Sequence, residues 1–193
     1  MSRGFTEEER KEIKNKLIDL FIEKLNYQKI SSINIDDLVK SVGIAKGSFY
    51  LFFKSKDELF AAVLNHIQSE IVNESIYLAE EKDLSDKKKL KAIVLFLINT
   101  IKQYPWIKKL SNVEYEKIIR RLPRETKENL RTKDITDIQN ILEKLNLKSD
   151  YSSENIVIMI QIILSSALNS QDYGPQYDQS VEMMVDILIN NLF

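Results

Sequence analysis

Four glycines and three prolines punctuate the 193 residues of this chain, so its long stretches must adopt a structure that tolerates few breaks. The strong interruptions are Gly43, Pro105, Pro123 and the pair Gly174-Pro175. Between them apolar residues recur at helical spacing, and no sustained two-residue alternation runs between hairpin turns. The expectation is an all-α fold of about nine helices. No apolar run approaches the ~20 residues that span a bilayer. The opening Met-Ser-Arg-Gly-Phe-Thr, followed by three glutamates, lacks the apolar core of a signal peptide. With no cysteine there is no disulfide framework, thiol switch or Cys-based zinc site. Hydrophobic residues make up 44% and charged residues 30%, the balance of a folded chain. A cytoplasmic protein without membrane attachment or cofactor is expected.

Local signals place the helices. Thr6 and Glu9 form a capping box, followed by Ile13, Leu17, Leu20 and Phe21 on one face. Asn34 caps a second helix with Asp36 and Asp37 in its first turn, and Ile35, Leu38, Val39 and Val42 as its buried face. Gly43 can take the left-handed conformation that stops it. A short third helix is expected from Lys46 to about Phe52. Ser55 and Glu58 form another capping box, opening a long fourth helix through Leu59, Val63, Leu64, Ile67 and Ile71. Ser85 caps a helix to about Gln103, Pro105 begins a shorter helical region, and Pro123 opens a helix to about Leu145. Two last helices cover roughly Glu154 to Gln171 and Gln176 to Asn191, with a turn at Gly174-Pro175.

Charge is unevenly spread. The net formal charge is -1, which alone says nothing of nucleic acid. From Lys24 to Lys56, however, six lysines face only Asp36 and Asp37, while Ser149 to Phe193 holds six acids and no Lys or Arg. The basic stretch also contains a helix, a glycine turn and a short helix of small and polar residues, the helix-turn-helix pattern. The second helix of such a pair enters the major groove of DNA with its N-terminal residues against base edges. Here it begins Ala45-Lys46-Gly47-Ser48. Lys46 can donate to guanine O6 or N7, Ser48 can donate or accept, and Leu51 can touch a thymine methyl. Gly47 sacrifices helix propensity, yet its missing side chain lets DNA come close. Phe49 reads as the core anchor. Tyr50, Lys54, Lys56 and the free amides of the helix starting at Asn34 would hold phosphate, setting register and supplying salt-dependent affinity.

The run from Asn34 to Leu59 closely resembles the DNA-binding signature of the TetR family. Gly43, Lys46-Gly47-Ser48, Tyr50, Phe53-Lys54 and Lys56-Asp57-Glu58-Leu59 all stand where that pattern has them. The resemblance covers about the first 70 residues. Phe52 stands where members often carry histidine or tyrosine, and without a polar tip it is not taken as a phosphate contact. The resemblance implies a three-helix helix-turn-helix domain over residues 1–54 and a helical ligand-binding and dimerisation domain over 55–193. It also implies a homodimer and a pocket for an inducer.

The body supplies its own signals. The run from Ile156 to Leu164 is apolar almost all round, so it must be buried on more than one side. A partner subunit resolves this if two hairpins form an intersubunit four-helix bundle. Its members would be Ile156, Ile160, Ile163 and Ala167, with Met183, Met184, Ile187 and Leu188. An internal core helix is the alternative. Dimerisation also suits the reader, since two short recognition helices related by a twofold axis read a palindrome. Phe96 and Thr100 share a face, with Gln103, Tyr104, Trp106 and Tyr115 following and Met159 as a further wall. Apolar walls with a few polar groups are how small-molecule pockets are lined, although ordinary core packing gives the same pattern.

Together these features describe a homodimeric repressor that binds double-stranded DNA and is released by a small apolar or amphipathic effector. A regulator controlled by a protein partner is the rival. An enzyme using Glu114 and Glu116 would need them in a cleft with raised pKa values, whereas the local pattern suggests a solvent face. His66 is the only histidine, which excludes a catalytic triad or a His-rich metal site. His66 with Glu70 is a weak metal pair at most, and Lys87-Lys88-Lys89 with Lys91 reads as a solvated helix start.

Overall fold

The computed structural model describes residues 5–110, 112–128, 140, 141 and 143–193. Its helices are α1 (Glu7–Leu25), α2 (Ile35–Val42), α3 (Lys46–Phe49), α4 (Lys56–Glu80) and α5 (Asp86–Gln103). They continue as α6 (Trp106–Lys109), α7 (Asn112–Arg121), α8 (Ser153–Ala167) and α9 (Tyr177–Leu192). The fold is all-α, with no strand among the described residues. Two compact units divide it, Met1–Ile67 with Leu110–Leu130, and Gln68–Lys109 with Arg131–Phe193.

In the first unit the capping box at α1 is complete. Thr6 Oγ1 accepts the Glu9 amide at 3.2 Å, and Glu9 Oε2 accepts the Thr6 amide at 2.7 Å. That helix buries Leu17, Ile18, Phe21 and Leu25. Gly43 ends α2 at φ +79°, letting the Ile44 amide reach back to the Val39 carbonyl at 3.0 Å. The third helix is shorter than its sequence suggests, stopping at Phe49. Beyond it the Leu51 and Phe52 amides bond three residues back, at 3.1 and 2.9 Å. Bulky residues from Phe49 to Phe53 are indifferent helix formers, and the tighter turn sinks both Phe49 and Phe53 into the core. Their ring centroids lie 5.9 Å apart, and Lys14 Nζ stands 5.8 Å from the Phe53 ring centre. At α4 the Ser55 hydroxyl accepts the Glu58 amide at 3.1 Å, but Glu58 returns to the Lys54 amide, at 2.8 Å, one residue earlier than a standard box. Ile119 and Leu122 pack with Ala61, Leu64 and Tyr115.

In the second unit α5 supplies Leu90, Ile93, Val94 and Ile98 to a core shared with α8 and α9. Ser85 occupies the N-cap position of α5, but its hydroxyl makes no capping bond. The acidic C-terminal segment finds its cations here. Lys91 holds Glu182 at 2.9 Å and Asp186 at 2.8 Å, Lys102 holds Asp178 at 2.6 Å, and Lys108 holds Asp172 at 2.9 Å. Helix α8 ends at Ala167, short of Gln171, and a 3-10 turn over Ser170–Tyr173 leads to Gly174 at φ +82°. The helix expected after Pro123 is present over residues 124–128, and most of its run toward Leu145 lies outside the described residues.

The outer and inner faces of α8 differ from the expected assignment. Ile156, Ile160, Ile163 and Ala167, expected to meet a partner subunit, turn inward and belong to the chain's own core. Ile158, Met159 and Ile162 face outward instead, so Met159 is not a buried wall. Within the run only Gln161 is polar, and it lies on the outer side with Glu154 and Ser165. The choice falls to α5 and α9, which take the Ile156 side. Because Ile160 is 4% exposed, Ile160→Ala should cost about 2–5 kcal/mol in urea unfolding, with the loss present in the unassociated chain.

Candidate nucleic-acid interface

Helix α3, the expected reader, is held by one buried ring. Phe49 is fully enclosed, and it fixes α3 against the rest of the head while the residues around it stay outside. Lys46 and Gly47 are exposed and Ser48 is half-buried. Tyr50 is 51% and Leu51 59% exposed, with the Tyr50 ring edge-on to Phe49 at 5.4 Å. Ala45 precedes α3 in extended conformation, and its carbonyl accepts the Ser48 amide at 2.9 Å. A Cβ built on Gly47 would meet no heavy atom within 4 Å. The protein itself therefore does not require glycine there.

Four of the expected contact residues line one feature. A shallow groove of about 450 Å³ is bordered by Ser31, Ser32, Ile33, Asn34, Ile35, Lys46, Tyr50 and Lys56. Asn34 is engaged in capping, its side-chain oxygen accepting the Asp36 amide at 3.0 Å. Lys56 is partly committed too. Its ammonium donates to the Ser31 and Ile33 carbonyls at 3.0 and 2.8 Å, tying the first turn of α4 to the segment before α2. Burial pushes its pKa below the ordinary lysine value, against an opposing pull from Asp57. An ammonium has three donors, so Lys56 first positions the chain and keeps one hydrogen for an anion. The Lys54 side chain is exposed, while its backbone amide is taken by Glu58.

The residue that sequence reasoning missed is Asp36. Its Oδ2 accepts from Lys46 Nζ at 2.9 Å. That hydrogen bond, and then the carboxylate charge, hold the Lys46 ammonium above its ordinary pKa. The two residues are ten apart and on different helices, so no helical spacing announces them. Phe52, excluded as a phosphate contact, instead leans on Phe5 at 5.8 Å.

The expected effector residues do not form one set within a single unit. Thr100 is buried, and its hydroxyl is spent on the Phe96 carbonyl at 3.0 Å. Phe96 is half-buried and Gln103 exposed. Trp106 is buried beside Tyr104, at 6.2 Å between rings. Burial, followed by the charge of Glu70, raises the Tyr104 pKa. Tyr115 belongs to the first unit, packed with Ile119 and Leu122. Glu114 and Glu116 are half-buried on α7. Among the described residues no three His, Asp or Glu side chains gather as a metal site, and no helix is long and apolar enough to cross a membrane.

A glycine-stopped helix followed by a short exposed helix, with a basic groove alongside, defines a helix-turn-helix DNA-binding unit. Residues 30–63 match the family model of bacterial regulatory proteins, tetR family. Over 66 residues the chain is 27% identical to the HTH-type transcriptional regulator AcrR of Shigella flexneri, covering 34% of this chain and 31% of that protein. Over 101 residues it is 25% identical to the nucleoid occlusion factor SlmA of Haemophilus ducreyi, covering 52% of this chain and 50% of that protein. The chain thus spans between about a third and a half of these relatives' lengths. In fold it is similar to FadR of Bacillus subtilis, solved with stearoyl-CoA, at 14% identity and a TM-score of 0.67, covering 93% of this chain and 99% of that one. In its DNA-binding segment, residues 30–63, this chain is thus similar to the bacterial regulatory proteins of the tetR family.

Two substitutions test the interface. Gly47→Ala should raise thermal stability by up to about 1 kcal/mol through helix propensity, since its Cβ has room. The same change should lower operator affinity about tenfold, the scale of one lost base contact, in fluorescence anisotropy. Lys54→Ala should weaken all duplexes alike and flatten the salt dependence by about one unit per lost contact in each half-site.

Proposed function

We propose that this protein is a homodimeric repressor that acts in the cytoplasm, binds a palindromic operator through two copies of α3, and is released by a small apolar or amphipathic effector. The observation that carries the reading is the exposed row around a buried Phe49, from Lys46 to Leu51, beside the basic groove. Residues 1–54 serve as the DNA-binding domain and residues 55–193 carry effector binding and dimerisation.

The dimer is supported by large aliphatic side chains left outside. Ile158, Met159 and Ile162 on α8 are exposed, as are Met183, Met184 and Ile187 on α9. Leu188 is half-buried at their edge. Contiguous exposed apolar side chains mark an interaction surface, and a second copy offers the same chemistry to it. Four of the segment's six acids are held by lysines of α5 and α6, which leaves this face little charge to bury.

An apolar or amphipathic effector is supported by the fold neighbour that holds stearoyl-CoA and by the aromatic side chains of the half-buried Phe96 on α5 and the buried Trp106 on α6. Helix α4 starts in the first unit and ends in the second. A ligand that favours one placement of α4 changes the separation of two heads that DNA requires about 34–36 Å apart. Control by a protein partner is the second reading, favoured by the similarity to a nucleoid occlusion factor over half of the chain.

Selection of bound sequences from random duplex DNA tests the function directly. A palindrome should emerge, and Lys46→Ala should relax it at one position in each half. A ligand screen for release then follows, read by Trp106 fluorescence with and without operator. Reciprocal coupling requires two different ligand affinities, and equal affinities would remove induction. For the dimer, Ile162→Glu with Ile187→Glu alters side chains 63% and 61% exposed. Sedimentation should report a helical monomer with operator affinity lost, whereas a soluble mutant dimer would overturn the interface.

A further inference from the structure

The ion pair between Lys46 and Asp36 is unexplained by stability. Both side chains are more than half exposed, and pairs of that kind contribute little to a fold. Its location is informative. Asp36 lies in the first turn of α2, and its partner Lys46 helps line the groove where Asn34, Tyr50 and Lys56 also meet. A carboxylate beside a groove suited to phosphate opposes the very ligand that the surrounding groups attract. An unheld lysine on its four-carbon stem would reach any nearby phosphate, whatever the sequence. Bonded to Asp36, the same ammonium has a fixed origin and two hydrogens left to donate.

We propose that Asp36 is a specificity-determining residue, which holds Lys46 over the start of α3 for base edges and lowers affinity for DNA of arbitrary sequence. This rests on the reading that α3 enters the major groove. The carboxylate subtracts one cation from each head's phosphate-binding charge and turns a mobile point charge into an oriented donor. Guanine O6 and N7 are the base acceptors suited to it. The hydrogen bond first, and then the carboxylate charge, hold the lysine's pKa above its ordinary value. The consequence is a regulator that gives up sequence-independent grip to widen the gap between operator and bulk DNA.

The test uses the full chain, with anisotropy titrations on a random-sequence duplex and on the duplex that the wild type selects, across a salt series. Asp36→Asn frees one cation per head. Random-duplex affinity should rise by about eightfold per head at 0.1 M salt, and the log–log salt slope should steepen by about 0.9 per head. Affinity for the selected duplex should rise less, so the ratio between the two falls. Asp36→Glu, which keeps the carboxylate, should keep the low random-duplex affinity. In a Lys46→Gln background, Asp36→Asn should leave base preference unchanged. Random affinity and base preference both unaltered by Asp36→Asn would overturn the proposal. Uniform weakening on both duplexes with an unchanged salt slope would mark a structural role and also overturn it. A shift of preference by Asp36→Asn that persists without Lys46 would sink it too. If the wild type selected no sequence at all, the groove-binding reading itself would fall.

Discussion

Burial of the Phe49 side chain is the contact on which the DNA-reading surface depends. A helix of four residues forms too few backbone bonds to stand alone in water. Its position is therefore a tertiary property, set by a ring with no exposed surface and by Phe53 beside it. From that anchor the outward directions of Lys46, Gly47, Tyr50 and Leu51 follow. Lys56 adds a second restraint of a different kind, tying the first turn of α4 to the two carbonyls that precede α2. Apolar burial fixes the depth of the reader, and a charge-assisted bond fixes the segment that flanks it.

The second unit uses the same division of labour on a larger scale. Apolar residues of α5 fill the space between α8 and α9, while its lysines Lys91 and Lys102 reach the acids along α9. Single exposed pairs do little, but three acids engaged along one helix favour one pairing of α5 with α9 over its alternatives. The absence of Lys and Arg from residue 149 onward, puzzling in isolation, is answered by lysines 64 to 95 residues earlier in the chain.

What could be read from the sequence was what is local. The Thr6 capping box, the glycine stop at Gly43 and the cap at Asn34 are each decided within a few residues, and each is present. The helix-turn-helix was legible for the same reason, since its signature occupies one continuous run. Contacts between distant positions carried no such mark. Asp36 looked like a dipole-favoured acid until its distance to Lys46 was known, and Lys56 looked like a free cation until its carbonyl partners at Ser31 and Ile33 were. In α8 the failure had another cause. Between Ile156 and Leu164 only Gln161 is polar, too little to set the interior at a glance, and Ile160, expected against a partner subunit, lies inside while Ile162 lies outside.

The pairing of the C-terminal acids with lysines of their own chain has a consequence for how assembly responds to its surroundings. In the proposed homodimer a contact made by the exposed Ile158, Ile162, Met183 and Ile187 would be nearly free of charge, so added electrolyte would neither screen nor loosen it. The head, with its surplus of lysine, meets its ligand by displacing condensed counterions and is steeply sensitive to the same electrolyte. The two associations therefore answer to different variables. In the homodimer proposed above, rising ionic strength would strip the protein from DNA as an intact pair, ready to rebind without a second-order search for its twin.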